Sequence, residues 1–222
     1  MTGKLFLSGG GNEKQTYALD EVFLKVRKIL YIPIAWKNDD FESCLKWFEN
    51  MISQHNKKIE IKMLIDLNEK TNLQDYDAIY IGGGNTFKLL KKIKESGFDN
   101  KLIEFYNKGG TIYGGSAGAL ILGNNIEIAL ICKDVDVNEV GLKDTSGLNL
   151  IKNYDIQCHF EDNQVEEHQE FIRKSKRNII AIPEESALLV ENNRYKVIGT
   201  KSITLITEKA STKYLPNKFI GI

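Results

Sequence analysis

Proline, cysteine and histidine are scarce in this 222-residue chain, with three of each. The cysteines (Cys44, Cys132, Cys158) are scattered and show no C-x-x-C spacing. They offer neither a disulfide framework nor a zinc-ligand set, and they fit a reducing, cytoplasmic setting. Net charge is missing as well, since 30 Lys plus Arg balance 30 Asp plus Glu. That balance argues against a nucleic-acid partner held by phosphate neutralisation and against a polybasic membrane anchor. No apolar run approaches the length of a bilayer span, and the stretch Leu5-Phe6-Leu7 is too brief for a signal peptide. Linkers, repeats and low-complexity segments are absent, so residues 1–222 are expected to form one domain.

Short apolar runs rich in β-branched residues alternate with segments of helical period. That alternation predicts βαβ units around a mostly parallel sheet, an α/β sandwich of three layers. Strands are expected over 4–8, 29–35, 59–65, 78–81 and 111–113. Asn12 reads as the N-cap of a helix running to about 27, and further helices are expected over 40–55, 86–96 and 99–107. In the second half, strands over 154–160, 178–182, 187–191, 196–198 and 203–206 flank a polar helix over 164–174. Their short length and tight turns predict an antiparallel extension of the sheet. The segment 214–222 is unusually apolar for a free tail and is expected to pack on the domain or on a second subunit, as in a homodimer.

Gly114-Gly115-Ser116-Ala117-Gly118 matches G-x-S-x-G where a strand gives way to a helix. A serine on so sharp a turn projects its hydroxyl above the carboxyl edge of the sheet, and the N–H of Ala117 is left free to donate to an oxyanion. A second turn, Gly82-Gly83-Gly84-Asn85-Thr86, also follows a strand and opens a helix. It fails the phosphate-binding fingerprints, because Phe87 stands where G-x-G-x-x-G needs glycine and no G-K-[ST] follows; Gly9-Gly10-Gly11 fails likewise. The 82–86 turn instead suits anion binding beside Ser116, with Gly83, Gly84 and Asn85 as the binding candidates.

A serine needs a base to act as nucleophile. His55 and His168 sit among charged or amide neighbours and are expected to be exposed, whereas His159 closes a strand at the sheet edge where α/β sites assemble. Glu184, Glu185, Glu161, Asp162, Asp134 and Asp136 are all available as the carboxylate that orients the imidazole. A metal site from His159, Glu161 and His168 lacks a recognised ligand spacing, so neither a metal nor an organic cofactor is expected.

Taken in order, Ile81-Gly82-Gly83-Gly84-Asn85-Thr86-Phe87, Gly115-Ser116-Ala117-Gly118-Ala119, Cys158-His159-Phe160 and Ile182-Pro183-Glu184 resemble the peptidase E family. Those proteins are alpha-aspartyl dipeptidase and cyanophycinase-like serine peptidases on a class I glutamine amidotransferase-like scaffold. The resemblance implies Ser116 as nucleophile, His159 as general base and Glu184 as orienting carboxylate. It also implies oxyanion donors from the Gly83–Gly84 turn and Ala117, and a small peptide as substrate, in one reading a dipeptide with N-terminal Asp. Gly115 precedes the serine where the aspartyl dipeptidases carry tryptophan, which leaves the substrate side chain open. Lys133, Arg173 and Lys174 are the candidate cations for an acidic side chain. A catalytically silent member that binds an acidic small molecule, or serves as a scaffold, is the competing expectation.

Overall fold

The computed structural model describes residues 3–36, 38–55, 58–132 and 135–222. Its first half is built from β1 (Lys4–Ser8), α1 (Glu13–Phe23), β2 (Lys28–Ile32), α2 (Phe41–Ser53), β3 (Glu60–Met63), β4 (Ala78–Ile81), α3 (Thr86–Glu95), α4 (Phe98–Asn107), β5 (Thr111–Gly115) and the single turn α5 (Ala117–Leu120). The second half holds β6 (Tyr154–Gln157), α6 (Val165–Ser175), β7 (Asn178–Ala181), β8 (Ser186–Glu191), β9 (Arg194–Gly199), β10 (Ile203–Ile206), β11 (Ser211–Tyr214) and β12 (Phe219–Ile220).

Local chemistry explains the helix starts. The Asn12 side chain accepts from Lys14 N and Gln15 N at 3.1 and 3.2 Å, and the Gln15 amide oxygen takes Asn12 N at 3.0 Å, forming a capping box. Asp40 and Asn85 cap α2 and α3 in the same way, accepting from Ser43 N (3.1 Å) and Lys88 N (2.9 Å).

The strands form an eight-stranded sheet of order β12-β9-β8-β1-β5-β4-β2-β3 and a four-stranded sheet of order β11-β10-β7-β6. In the larger one, β1, β5, β4, β2 and β3 are mutually parallel and β8, β9 and β12 are antiparallel. The expected antiparallel extension is therefore present, but β6, β7, β10 and β11 leave it to form a sheet of their own. Alternating residues explain why helices cover both faces of the parallel part. Leu5, Leu7, Ile79 and Ile81 join one buried cluster with Leu89, Leu90 and Leu102 from α3 and α4. Phe6, Tyr31, Tyr80 and Tyr113 join another with Leu19, Phe23 and Phe48 from α1 and α2.

Two C-terminal strands exceed the expectation. β11 is polar and largely exposed, so no apolar alternation marks it. β12 is only a two-residue pairing with β9, made by the tail that the sequence left between domain and partner. No helix of the described residues is long and apolar enough to cross a membrane. Within β12, Ile220 is buried while Phe219 is exposed against Arg194. Ile220→Ala is accordingly expected to cost about 2–5 kcal/mol in chemical denaturation and Phe219→Ala less than about 1 kcal/mol.

Candidate active site

Ser116 follows β5 in the larger sheet, whereas His159 and Glu184 lie just beyond β6 and β7 in the smaller one. The site is therefore built on a seam between sheets. A backbone hydrogen bond crosses that seam, from His159 N to Gly9 O at 3.0 Å, while Gly9 N to Ser186 O (3.0 Å) and Ser116 N to Ser8 O (3.2 Å) hold the larger-sheet side of it. Across it runs a continuous chain of side chains. Ser116 Oγ lies 2.9 Å from His159 Nε2, His159 Nδ1 lies 2.9 Å from Glu184 Oε1, and Gln15 Nε2 donates to Glu184 Oε2 at 2.7 Å.

Both members of the first pair hold backbone conformations uncommon for residues with a Cβ. Ser116 has φ 51° and ψ −115°, and His159 has φ 52°. The turn at Gly10 makes their meeting possible. Gly10 has φ +92°, and a methyl group placed on it would stand 2.7 Å from Ser116 Cβ and 2.8 Å from His159 Nε2. Any side chain there would push the pair apart.

Above Ser116 runs the 82–86 turn. A methyl on Gly83 would lie 3.2 Å from Ser116 Cβ. Gly82 N–H is taken by Ile32 O (3.0 Å) and Asn85 N–H by Ala35 O (2.9 Å), but among the described residues no carbonyl takes the N–H of Gly83 or Gly84. Ala117 opens α5, so its N–H has no helical carbonyl to pair with. The Asn85 side chain is engaged elsewhere. Its oxygen caps α3 and its Nδ2 donates to Val137 O at 2.9 Å, which makes it a structural member of the turn. Asp136 ties the same segment down, accepting from Thr86 N (2.8 Å) and Thr86 Oγ1 (2.5 Å).

The other expected residues fall away from this constellation. His55 is buried, not exposed, and its ring stacks on Tyr17 with centroids 4.2 Å apart. His168 is buried too, bonded through Nδ1 to Gln164 O at 2.6 Å and set edge-on to Phe160; burial pushes its pKa down. Asp162 pairs with Lys213 at 2.6 Å. Arg173 and Lys174 lie exposed on α6 and line neither of the cavities described next, while Lys133 and Asp134 fall outside the described residues. No cluster of three metal-ligating side chains occurs among the described residues.

Two cavities meet the Ser116–His159 pair from different sides. One, of about 530 Å³, is lined by Ser116, Gly83, Gly10 and a set of aromatic rings. The other, of about 480 Å³, is lined by His159, Glu184, Gln15, Glu161, Lys201 and Lys213 among others. Beneath the first, Tyr113 Oη donates to Asp20 Oδ1 (3.2 Å) and Thr16 Oγ1 to Asp20 Oδ2 (2.6 Å). Burial pushes the Asp20 carboxyl up to about 6 against the pull of those two hydrogen bonds.

The sequence profile of peptidase family S51 matches residues 5–198. The chain belongs to peptidase family S51. Among its S51 relatives, peptidase E of Actinobacillus pleuropneumoniae serotype 5b (strain L20) is 25% identical over 198 residues, covering 83% of this chain and 80% of that protein. Peptidase E of Haemophilus influenzae (strain ATCC 51907) is 26% identical over 188 residues, covering 79% and 82%. In fold, the S51 chain resembles the crystal structure of a peptidase from an acI-B1 Actinobacterium, with TM-score 0.69, 19% identity and coverage of 100% and 98%. A candidate peptidase E protein from Listeria monocytogenes EGD-e gives TM-score 0.70 at 23% identity, covering 90% and 99%.

Gln15 and the Gly9–Gly11 turn were absent from the sequence-derived site. The only sequence mark of Gln15 is its place three residues after the Asn12 cap. Gly9-Gly10-Gly11 carries no sequence mark beyond a failed nucleotide fingerprint.

Asp20 yields a stability prediction. A carboxyl whose folded pKa is raised contributes fully below its unfolded value near 3.8, and that contribution is lost as pH rises through about 6. Relative to Asp20→Asn, the native chain is expected to lose up to about 3 kcal/mol of unfolding free energy between pH 4 and pH 7, as read by urea melts at each pH.

Proposed function

We propose that this S51 protein is a serine peptidase that hydrolyses short peptides through Ser116, His159 and Glu184. The observation that carries the reading is the unbroken chain Ser116–His159–Glu184–Gln15, with contacts of 2.9, 2.9 and 2.7 Å. Residues 1–222 are read as one peptidase E-like domain on the three-layer α/β/α scaffold of class I glutamine amidotransferases. Support comes from helices on both faces of the parallel strands and from a buried cluster that includes residues of both sheets, such as Leu7, Ile112, Ile156 and Ile203. None of the three cysteines, all buried, is in a disulfide, which fits a reducing cytoplasm.

In this reading His159 Nε2 removes the Ser116 hydroxyl proton as Oγ attacks the peptide carbonyl. The carbonyl π pair moves onto oxygen, and that oxyanion is held by the N–H groups of Gly83 or Gly84 and of Ala117. Glu184 stabilises the imidazolium and fixes its orientation. The C–N bond then breaks, the proton on Nε2 passes to the departing amine, and an acyl ester remains on Ser116. Water repeats the cycle: His159 takes its proton, its oxygen attacks the ester, and the proton returns to Ser116 Oγ as the acid leaves. Gln15 acts as a positioning residue, holding the far oxygen of Glu184 so that the near one faces His159.

Hydrolysis of at least one member of a dipeptide panel (Phe-Leu, Ala-Leu, Asp-Leu, Glu-Leu and an isoaspartyl linkage) is expected, and Ser116→Ala is expected to reduce it at least about 1000-fold. A fluorophosphonate should modify Ser116, as located by mass spectrometry. Full activity in Ser116→Ala removes the proposal; a folded protein that neither turns over any peptide nor takes up the probe points to a silent member. For Gln15→Leu we expect kcat to fall about tenfold with KM little changed, because the lost hydrogen bond serves the charged transition state more than substrate binding.

A further inference from the structure

The two cavities divide the substrate. The amine leaving the tetrahedral intermediate takes its proton from His159, so it must stand on the side of the cavity lined by His159 and Glu184. The other cavity is lined by Ser116 and Gly83, the attacking residue and one oxyanion-turn residue, but not by His159. It therefore receives the acyl residue, the one that supplies the scissile carbonyl.

Its walls are aromatic. Tyr31, Tyr80 and Tyr113 stand on neighbouring strands in register, with Tyr80 stacked on Tyr113 at a centroid separation of 4.4 Å and an angle of 12°. Trp36 and Trp47 complete the lining, and both remain partly open to solvent. No Lys, Arg or His is found among the described residues that line this space. The nearby Lys88 amine is already committed, to Trp36 O at 2.7 Å and Asp39 Oδ1 at 2.8 Å. A carboxylate entering here would lose water and meet no cation among the described lining residues, and it would approach the Asp20 carboxyl beyond Tyr113 and Thr16. A flat apolar ring would gain edge and face contacts with the tyrosines and tryptophans. The volume, about 530 Å³, lies within the usual range for small-ligand sites.

Taking the hydrolase reading above as given, we propose that the acyl-side residue of the substrate carries an uncharged aromatic side chain, and that acidic residues are rejected at that position. The ring would lie against Tyr31, Tyr80 and Trp47, with Trp36 closing the mouth.

The test compares diphenyl aminoalkylphosphonates bearing Phe, Asp or Lys side chains on the full chain, with the rate of Ser116 modification followed by intact-mass spectrometry. The phosphonate of Phe is expected to react at least about 100-fold faster than that of Asp. Trp47→Ala should slow the Phe reagent about tenfold, and Trp36→Arg should narrow the Phe-over-Asp ratio at least about tenfold; both tryptophans are partly exposed, so these variants keep the core intact. An Asp or Lys reagent that matches or outruns Phe overturns the inference and leaves the peptidase reading standing. So does failure of all three directed reagents while a small fluorophosphonate still modifies Ser116. If no reagent modifies Ser116, the inference falls together with the peptidase reading.

Discussion

The absence of a side chain at residue 10 is what lets Ser116 and His159, carried by different sheets, stand side by side. β1 ends against the Ser116–His159 pair, and the Gly10 backbone passes so close that a single methyl group would lie 2.7 Å from Ser116 Cβ and 2.8 Å from His159 Nε2. The proposed chemistry depends on that closeness. The serine directly follows a strand of the large sheet, and the imidazole lies just past the end of a strand in the small one. The His159 N to Gly9 O bond joins the two sides directly, and the Cys158 thiol adds a bond to Ser8 O at 3.3 Å. Interiors pack densely and yield little, so a displacement at the seam would be carried into the pair instead of being absorbed around it.

The parallel half of the fold was legible because strands covered on both faces read as continuous apolar runs; Ala78–Ile81 and Lys4–Ser8 match their expected bounds. The partition into two sheets was not legible, since periodicity tells a strand from a helix but not which neighbour it will choose. β11 carries Ser, Thr, Lys and Tyr with no buried side chain, and gave no signal at all. Within the proposed site, Ser116 is marked by its place in a G-x-S-x-G turn and His159 by its place at a strand end. Glu184 was separable from Glu185 only through resemblance, as both carboxylates follow the same strand.

The histidines show where local pattern misleads. Glu166, Glu167 and Glu170 around His168 suggest an exposed surface, yet His168 and Ile172 lie four residues apart on one buried stripe of α6. That spacing was in the sequence and outweighs the charge of its neighbours. Gln15 is the opposite case. Its capping role is local and readable, but its second partner, Glu184, is 169 residues away and no local rule reaches it. One amide thus ties the start of α1 to the acid of the proposed triad, so the conformation of a helix end and the orientation of an imidazole are set by the same side chain.

On the proposed reading, the two cavities also order events in time. With an acyl group esterified to Ser116 and its side chain seated among the tyrosines, that route to the ester carbon is shut. The second route, past Lys201, Glu161 and Lys213, stays occupied until the amine has departed. The hydrolytic water then arrives through the doorway the first product has just vacated. A slow-departing amine would then hold the acyl-enzyme in a dry state, where the same amine can attack the ester and restore the original bond. The layout makes reversal and completion compete for one passage.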